Sequence, residues 1–148
     1  MKSIIVIENV RRWPLELQGA EVVSARDYLV GEKWSGRRSL RVFNFCRTYG
    51  YQTGGYYVSL LAAARGHRPQ PTVETLQDLR LSPVVRIVSQ QIEELIGRHL
   101  ARLKGPRFDL SIYFGRYLSK RYDSLCRALY EQFPVPLLRA SFEKQSDV

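Results

Sequence analysis

The nine residues RTYGYQTGG, Arg47–Gly55, gather the groups in this chain that are best suited to holding a ligand. They follow the alternating run LRVFNFC (Leu40–Cys46) and precede a stretch in which Tyr57, Leu60, Leu61 and Ala64 recur at helical spacing. A helix that starts here presents unpaired backbone N–H groups, which favour an anion. Arg47 and, much further on, Arg116 offer bidentate donors for a carboxylate or phosphate. Asn44, Gln52 and the hydroxyls of Tyr49, Tyr51, Tyr56 and Tyr57 add neutral hydrogen bonds. Gly54 and Gly55 allow a ligand to approach the backbone closely. The loop suits a small anionic, amino-acid or peptide ligand. It suits equally a second use, in which the tyrosines pack against another domain or another copy of the chain and the glycines only shape the turn.

Other chemistries find little support. No Gly-Lys-Ser/Thr follows the glycines, so the loop is no Walker A motif, and Gly50, Gly54 and Gly55 lack the dinucleotide-binding spacing. Cys46 and His67 could be imagined as nucleophile and base, but a buried structural cysteine and a histidine meeting the last carbonyls of a helix are the simpler reading. Metal binding needs three or four convergent ligands, and two histidines with two distant cysteines, Cys46 and Cys126, do not supply them. His99 reads as a helix-surface residue, Glu93 and Glu94 as a solvated face, and Asp78 and Asp109 as caps or sheet-edge residues. No catalytic residue set emerges.

Alternating strands and helices are expected to position these groups. SIIVIEN (Ser3–Asn9) is a β-branched buried strand, and Ala20–Leu29 a second strand ending in a short turn. Gly31–Ser39 reads as a loop, Leu40–Cys46 as a strand, Tyr56–Arg65 as a helix closed by Gly66, and His67–Val73 as extended and irregular around Pro69 and Pro71. A long helix follows, with Ser82 as cap, Pro83 as first residue, and an apolar face from Val84 through Val88, Ile92, Ile96 and Leu100 to Leu103. Phe108–Gly115 is a strand, Tyr122–Phe133 a helix stopped by Pro134, and Val135–Phe142 a last strand. This alternation predicts an α/β three-layer sandwich with a mostly parallel sheet, in one domain over residues 1–142. Residues 143–148 read as a frayed or truncated tail. In such sheets ligands sit beyond the carboxyl ends of strands. If the strands before Arg47 and before Arg116 are neighbours, both loops open on one edge.

The chain has 148 residues, 45% hydrophobic and 25% charged, in the ordinary range of soluble globular domains. The net charge of +9 raises the question of nucleic acid, but the surplus is spread along the chain and forms no basic tail or helix face. No apolar run is long enough for a membrane span, and MKSIIVIENV reads as a first strand and not a signal peptide, which makes the cytoplasm the default location.

The stretch RVFNFCRTYGYQTGGYYVSLLAAARGHRPQPTVETLQDL resembles the RimK-like ATP-grasp N-terminal domain family. The resemblance rests on the strand Arg41–Cys46, on Arg47 and Tyr51–Gln52, on the helix motif Gly55–His67 and on Gln77–Leu79. LSIYFGR (Leu110–Arg116), FPVPLLRASF (Phe133–Phe142), Trp13–Pro14 and Asp27–Leu29 extend it over almost the whole chain. It implies a fold similar to the small domain preceding ATP-grasp modules, with an ATP-grasp module as partner in cis. The implied activity is that of an ATP-dependent carboxylate–amine ligase, in which this domain is non-catalytic and helps to form the substrate site or to position the catalytic module. The ATP and magnesium sites would belong to that module, leaving no cofactor here. The alternatives are a stand-alone docking module and, behind it, a nucleic-acid-binding one.

Overall fold

Ile4, Ile5, Val6 and Ile7 are all buried, which alternation on a one-sided strand would not allow. They form β1 (Ser3–Ile7), and their burial on both faces is that of a central strand in a parallel sheet. The computed structural model, described for residues 1–145, places β1 between β2 (Ala20–Ser24) and β3 (Arg41–Asn44), with β4 (Arg68–Gln70) outside β3. All three pairings are parallel, with Ser3 opposite Ala20 and Arg41, and Arg41 opposite Arg68. The α/β fold with a parallel sheet flanked by helices is as expected.

The chain divides into two compact units, Met1–Gln77 and Asp78–Val148, the second described through Gln145. In the first, the core joins Ile4, Val6 and Val42 of the sheet to Tyr28, Trp34, Val58 and Ala62 of the helices. Each of the isoleucine and valine side chains contributes about 1.5–3 kcal/mol through burial. Helix α1 (Ala25–Val30) begins where a continued strand was expected, because Ser24 caps it, its hydroxyl accepting from the Asp27 N–H at 3.0 Å. The Gly31–Ser39 stretch holds a short helix, α2 (Glu32–Ser35), that buries Trp34. Helix α3 (Gly54–Ala64) ends in a Schellman arrangement: Gly66 has φ +73°, its N–H donates to Ala63 O, and the His67 N–H donates to Ala62 O. The backbone therefore meets the last carbonyls, and not the His67 ring as expected. That buried ring bonds instead to the Tyr28 hydroxyl (Nδ1, 2.8 Å) and faces the Trp34 and Arg37 carbonyls (Nε2, 3.1 and 2.7 Å). Two carbonyls require a donor, so Nε2 carries the proton and Nδ1 accepts from Tyr28.

Beyond β4 the chain is helical again in α4 (Val73–Arg80), where Thr72 Oγ1 accepts from the Thr75 N–H at 3.2 Å. The expected extended segment is thus only three residues long.

In the second unit the expected long helix is two, α5 (Ser82–Gln91) and α6 (Glu93–Leu100), divided at Ile92. Its apolar period survives the break: Ile92, Leu95, Ile96 and Leu100 all pack on a core of Leu110, Ile112, Tyr122, Leu125, Cys126 and Leu129. Strands β5 (Arg107–Tyr113) and β6 (Leu137–Glu143) pair antiparallel in a separate ribbon, with helix α7 (Asp123–Gln132) between them in sequence. A strand–helix–strand order suggested a parallel pair in the main sheet. The difference arises at Phe114–Gly115, where φ values of +49° and +78° make a two-residue reversal closed by Tyr113 N–H to Arg116 O (2.8 Å) and back (2.9 Å). The chain turns back before α7 starts, so α7 returns it to the end of β5, and Leu137 lies opposite Tyr113. The tail expected from residue 143 is described through Gln145, with Glu143 closing β6, and residues 146–148 lie outside the described residues.

Candidate functional site

The strand order β2-β1-β3-β4 has a topological switch between β1 and β3: the chain leaves β1 toward one side of the sheet and later resumes on the other. Open parallel sheets bind ligands in the crevice at the carboxyl ends of such a pair. Two loops meet there. After β1 come Glu8 and Asn9, whose Oδ1 accepts from the Arg11 N–H at 3.1 Å and caps the turn Val10–Arg12. After β3 comes the tyrosine-rich loop. The Glu8 carboxylate accepts from the Arg47 backbone N–H, joining the two loops. Trp13 and Phe45 meet edge to face at 5.5 Å.

Asn44 holds the β3 loop from below. It is fully buried, with Nδ2 donating to Gly55 O (2.7 Å) and to Ser59 Oγ (2.9 Å), while Oδ1 accepts from the Cys46 N–H (3.1 Å). Ser59 passes its own proton to Pro71 O at 2.7 Å. Asn44, expected among the ligand-binding residues, is thus committed to the fold of the site. Gly55 is dictated by the same contact: a Cβ there would lie 2.1 Å from the Thr48 carbonyl oxygen and 2.9 Å from Cys46 Cβ. Thr53 Oγ1 closes the loop on the Thr48 and Gly50 carbonyls (2.9 and 2.6 Å) and so makes no cap to α3. Tyr49 donates to Asn44 O at 2.7 Å.

What remains for a ligand is the outer rim. Arg47, Tyr51, Gln52 and Gly54 are exposed, Gln52 at φ +64°, and Tyr56 is half-buried. Tyr51, Tyr56 and Tyr57 stack edge to face in a row at 5.5 and 5.8 Å. The rim combines the positive end of α3 and the Arg47 guanidinium with the single negative charge of Glu8. Among the described residues, no group of three or more His, Cys, Asp or Glu converges to hold a metal.

Cys46 and His67 do not meet. In parallel register Cys46 follows the carboxyl end of β3 while His67 precedes the amino end of β4, at opposite edges of the sheet, about 20 Å apart at strand rise. Burial, helped by the nearby Glu8 charge, pushes the Cys46 thiol up to about 12, so it stays protonated at neutral pH. Burial likewise raises the Tyr49 hydroxyl.

Arg116 belongs to the second unit, just past β5, and the antiparallel ribbon removes the shared sheet edge on which it was to join Arg47. It lines a pocket there with Lys120, Asp123 and Arg127. Glu8 was missed as a site residue because its strand's neighbours were unknown. Arg127 was missed although Asp123, Arg127 and Tyr130 recur at i, i+4, i+7 along α7.

Residues 25–148 match the family model of the RimK-like ATP-grasp N-terminal domain. No curated protein and no solved structure matches the chain. No helix among the described residues is long and apolar enough to cross a membrane. The match covers most of the sequence, from the helix that Ser24 caps through the loop at the switch point to the ribbon, and the chain belongs to the RimK-like ATP-grasp N-terminal domain family.

Proposed function

We propose that this chain is the non-catalytic N-terminal domain of an ATP-dependent carboxylate–amine ligase, acting in the cytoplasm, and that the rim between Glu8 and Gly55 forms one wall of its substrate site. The family supports association with an ATP-grasp module. The single observation that carries the site is the joining of two loops by Glu8 and the Arg47 N–H at the switch point of a parallel sheet. In this reading the Arg47 guanidinium holds a substrate carboxylate, the first N–H groups of α3 add to its field, and Tyr51 and Gln52 orient the rest of the ligand. The ATP-grasp module supplies ATP and magnesium and activates the carboxylate as an acyl phosphate for attack by an amine.

The test is Arg47→Ala in the protein joined to its ATP-grasp module, assayed for ADP release with candidate acids and amines. KM for the acid is expected to rise at least about tenfold, the loss of one charge-assisted bidentate contact, with the melting temperature unchanged. Unchanged kinetics would remove Arg47 from the site. The row of Tyr51, Tyr56 and Tyr57, exposed at Tyr51 and Tyr57, favours one other reading, a docking face. If glutamate, acidic peptides and phosphate leave the NMR signals of this loop unmoved while the ATP-grasp module shifts them, docking is the function of the rim.

A further inference from the structure

A second, separately built concavity lies in the unit Asp78–Val148, where a pocket of about 490 Å³ opens between the Phe114–Gly115 turn and helix α7. Its size falls in the range of small-molecule sites and exceeds what a bare inorganic ion fills. Arg116 and Lys120 come from the turn side, and Asp123 and Arg127 from one face of the helix. Three cations against one carboxylate leave a surplus of two positive charges in a concave wall. Among the described residues none of the three cations makes an ion pair. Unpaired cations gathered in one concavity concentrate the field on whatever enters it.

The wall is stiff. Gly115 stands so close to the Tyr130 ring that a Cβ would lie 2.9 Å from it, which fixes the turn against α7. Phe114 holds φ +49°, a conformation that a bulky residue adopts only where its surroundings impose it, and its N–H is tied to Pro136 O at 2.9 Å. Arg116 is thereby presented by a clamped hairpin and not by a free loop. Leu118 is 95% exposed beside the half-buried Tyr117, giving an apolar edge next to the exposed charged side chains.

We propose that this pocket binds a small-molecule phosphate monoester. Arg116, Lys120 and Arg127 hold the phosphate, and the organic part lies against Tyr117 and Leu118. A phosphate monoester carries close to two negative charges near neutral pH, which matches the surplus, and its three terminal oxygens can accept from two guanidinium forks and an ammonium together. A monocarboxylate would leave one positive charge uncompensated. This site is independent of the rim at Arg47, so either can fail without the other.

The experiment is titration of the full chain, by calorimetry and by NMR, with phenyl phosphate, inorganic phosphate and phenol. Phenyl phosphate is expected to bind saturably with a Kd of about 1 mM or below, roughly tenfold tighter than inorganic phosphate, and phenol not at all. Arg127→Gln and Lys120→Gln, both on exposed side chains and checked for folding by circular dichroism, should each weaken binding about tenfold, and Asp123→Asn should tighten it. Arg86→Gln, on an exposed side chain of α5 outside both sites, should change nothing. The proposal is overturned if phenyl phosphate does not saturate or if inorganic phosphate binds as well as the ester. It is overturned equally if the Arg127 and Lys120 variants bind normally, or if Arg86→Gln weakens binding as much as they do.

Discussion

Removing the Asn44 side chain should loosen the switch-point loop more than any single change on its rim. The amide orientation is unambiguous, because the Cys46 N–H needs an acceptor and Gly55 O needs a donor. In Asn44→Ala the buried Cys46 N–H loses its acceptor, while Gly55 O, inside α3, loses the Asn44 donor and keeps its helical one. Ser59 keeps its bond to Pro71 O and loses only one of two contacts. One orphaned buried donor costs about 1–3 kcal/mol and each of the two other lost hydrogen bonds, to Gly55 O and Ser59, about 0.5–1.5, together about 2–6. Water entering the vacated space offsets part of this, and we expect a net loss of about 3 kcal/mol, or about 10 °C in melting temperature for a chain of this size. Urea unfolding followed by circular dichroism measures the first quantity. Native-state hydrogen exchange at the Cys46 amide measures the local one, since that proton loses its acceptor. Asn44→Asp sharpens the test: it keeps the acceptor for Cys46 and sets a carboxylate against the Gly55 carbonyl. Burial and the facing Gly55 carbonyl outweigh the one donor at Cys46 and raise the folded pKa of that carboxyl above its unfolded value, so the folded state binds its proton more tightly. The variant is then most stable in acid and loses stability as pH rises through and above the ordinary carboxylate range. An Asn44→Ala protein within about 0.5 kcal/mol of the parent, with Cys46 exchange unchanged, would refute the network as the support of the loop.

Three further outcomes are expected. Tyr28→Phe leaves the buried Nδ1 of His67 without its donor and should cost about 1–3 kcal/mol in urea unfolding, while a surface Tyr51→Phe should cost almost nothing. Burial raises the folded pKa of Cys46 and Tyr28 to about 12 and of Cys126 to about 11, from ordinary values of 9.0 for the thiols and 10.0 for the tyrosine. The stability these groups contribute is therefore complete below pH 9.0 and is lost as pH rises from there through about 12, where the unfolded chain has released protons that the folded one keeps. Iodoacetamide near pH 8 should leave both thiols unmodified until denaturant is added. Rapid labelling of the native protein would contradict the burial assigned to them.

Local chemistry was legible where one residue decides it. The strand expected over Leu40–Cys46 and found at Arg41–Asn44, the helix expected over Tyr56–Arg65 and found at Gly54–Ala64, and its Gly66 terminus follow from alternation, periodicity and the left-handed preference of glycine. What stayed hidden depends on distant partners. Ile92 carries an apolar period through a break in the backbone, so periodicity reports the buried face without reporting continuity. The strand–helix–strand order around α7 pointed to a parallel pair, and the reversal at Phe114–Gly115, with a phenylalanine in a glycine-like conformation, overrode it. Glu8 acquires meaning only once β1 is known to lie beside β3.

The residues that carry the resemblance to the family are chiefly those that build the scaffold. Asn44, Gly55 and Ser59 lock strand to helix. Arg65 donates to the Tyr28 carbonyl at 2.6 Å and lies over the Tyr28 ring at 5.0 Å, securing the end of α1. His67 completes that junction through the same tyrosine. Each has a defined partner inside the first unit, and none faces an open rim. The side chains of that unit free to meet a ligand, Arg47, Tyr51 and Gln52, stand at the end of what those residues hold in place. A substitution in the scaffold should therefore be read out as stability, and one on the rims as affinity. Arg65→Ala and Arg47→Ala, alike in chemistry and eighteen positions apart, are expected to fall on opposite sides of that division.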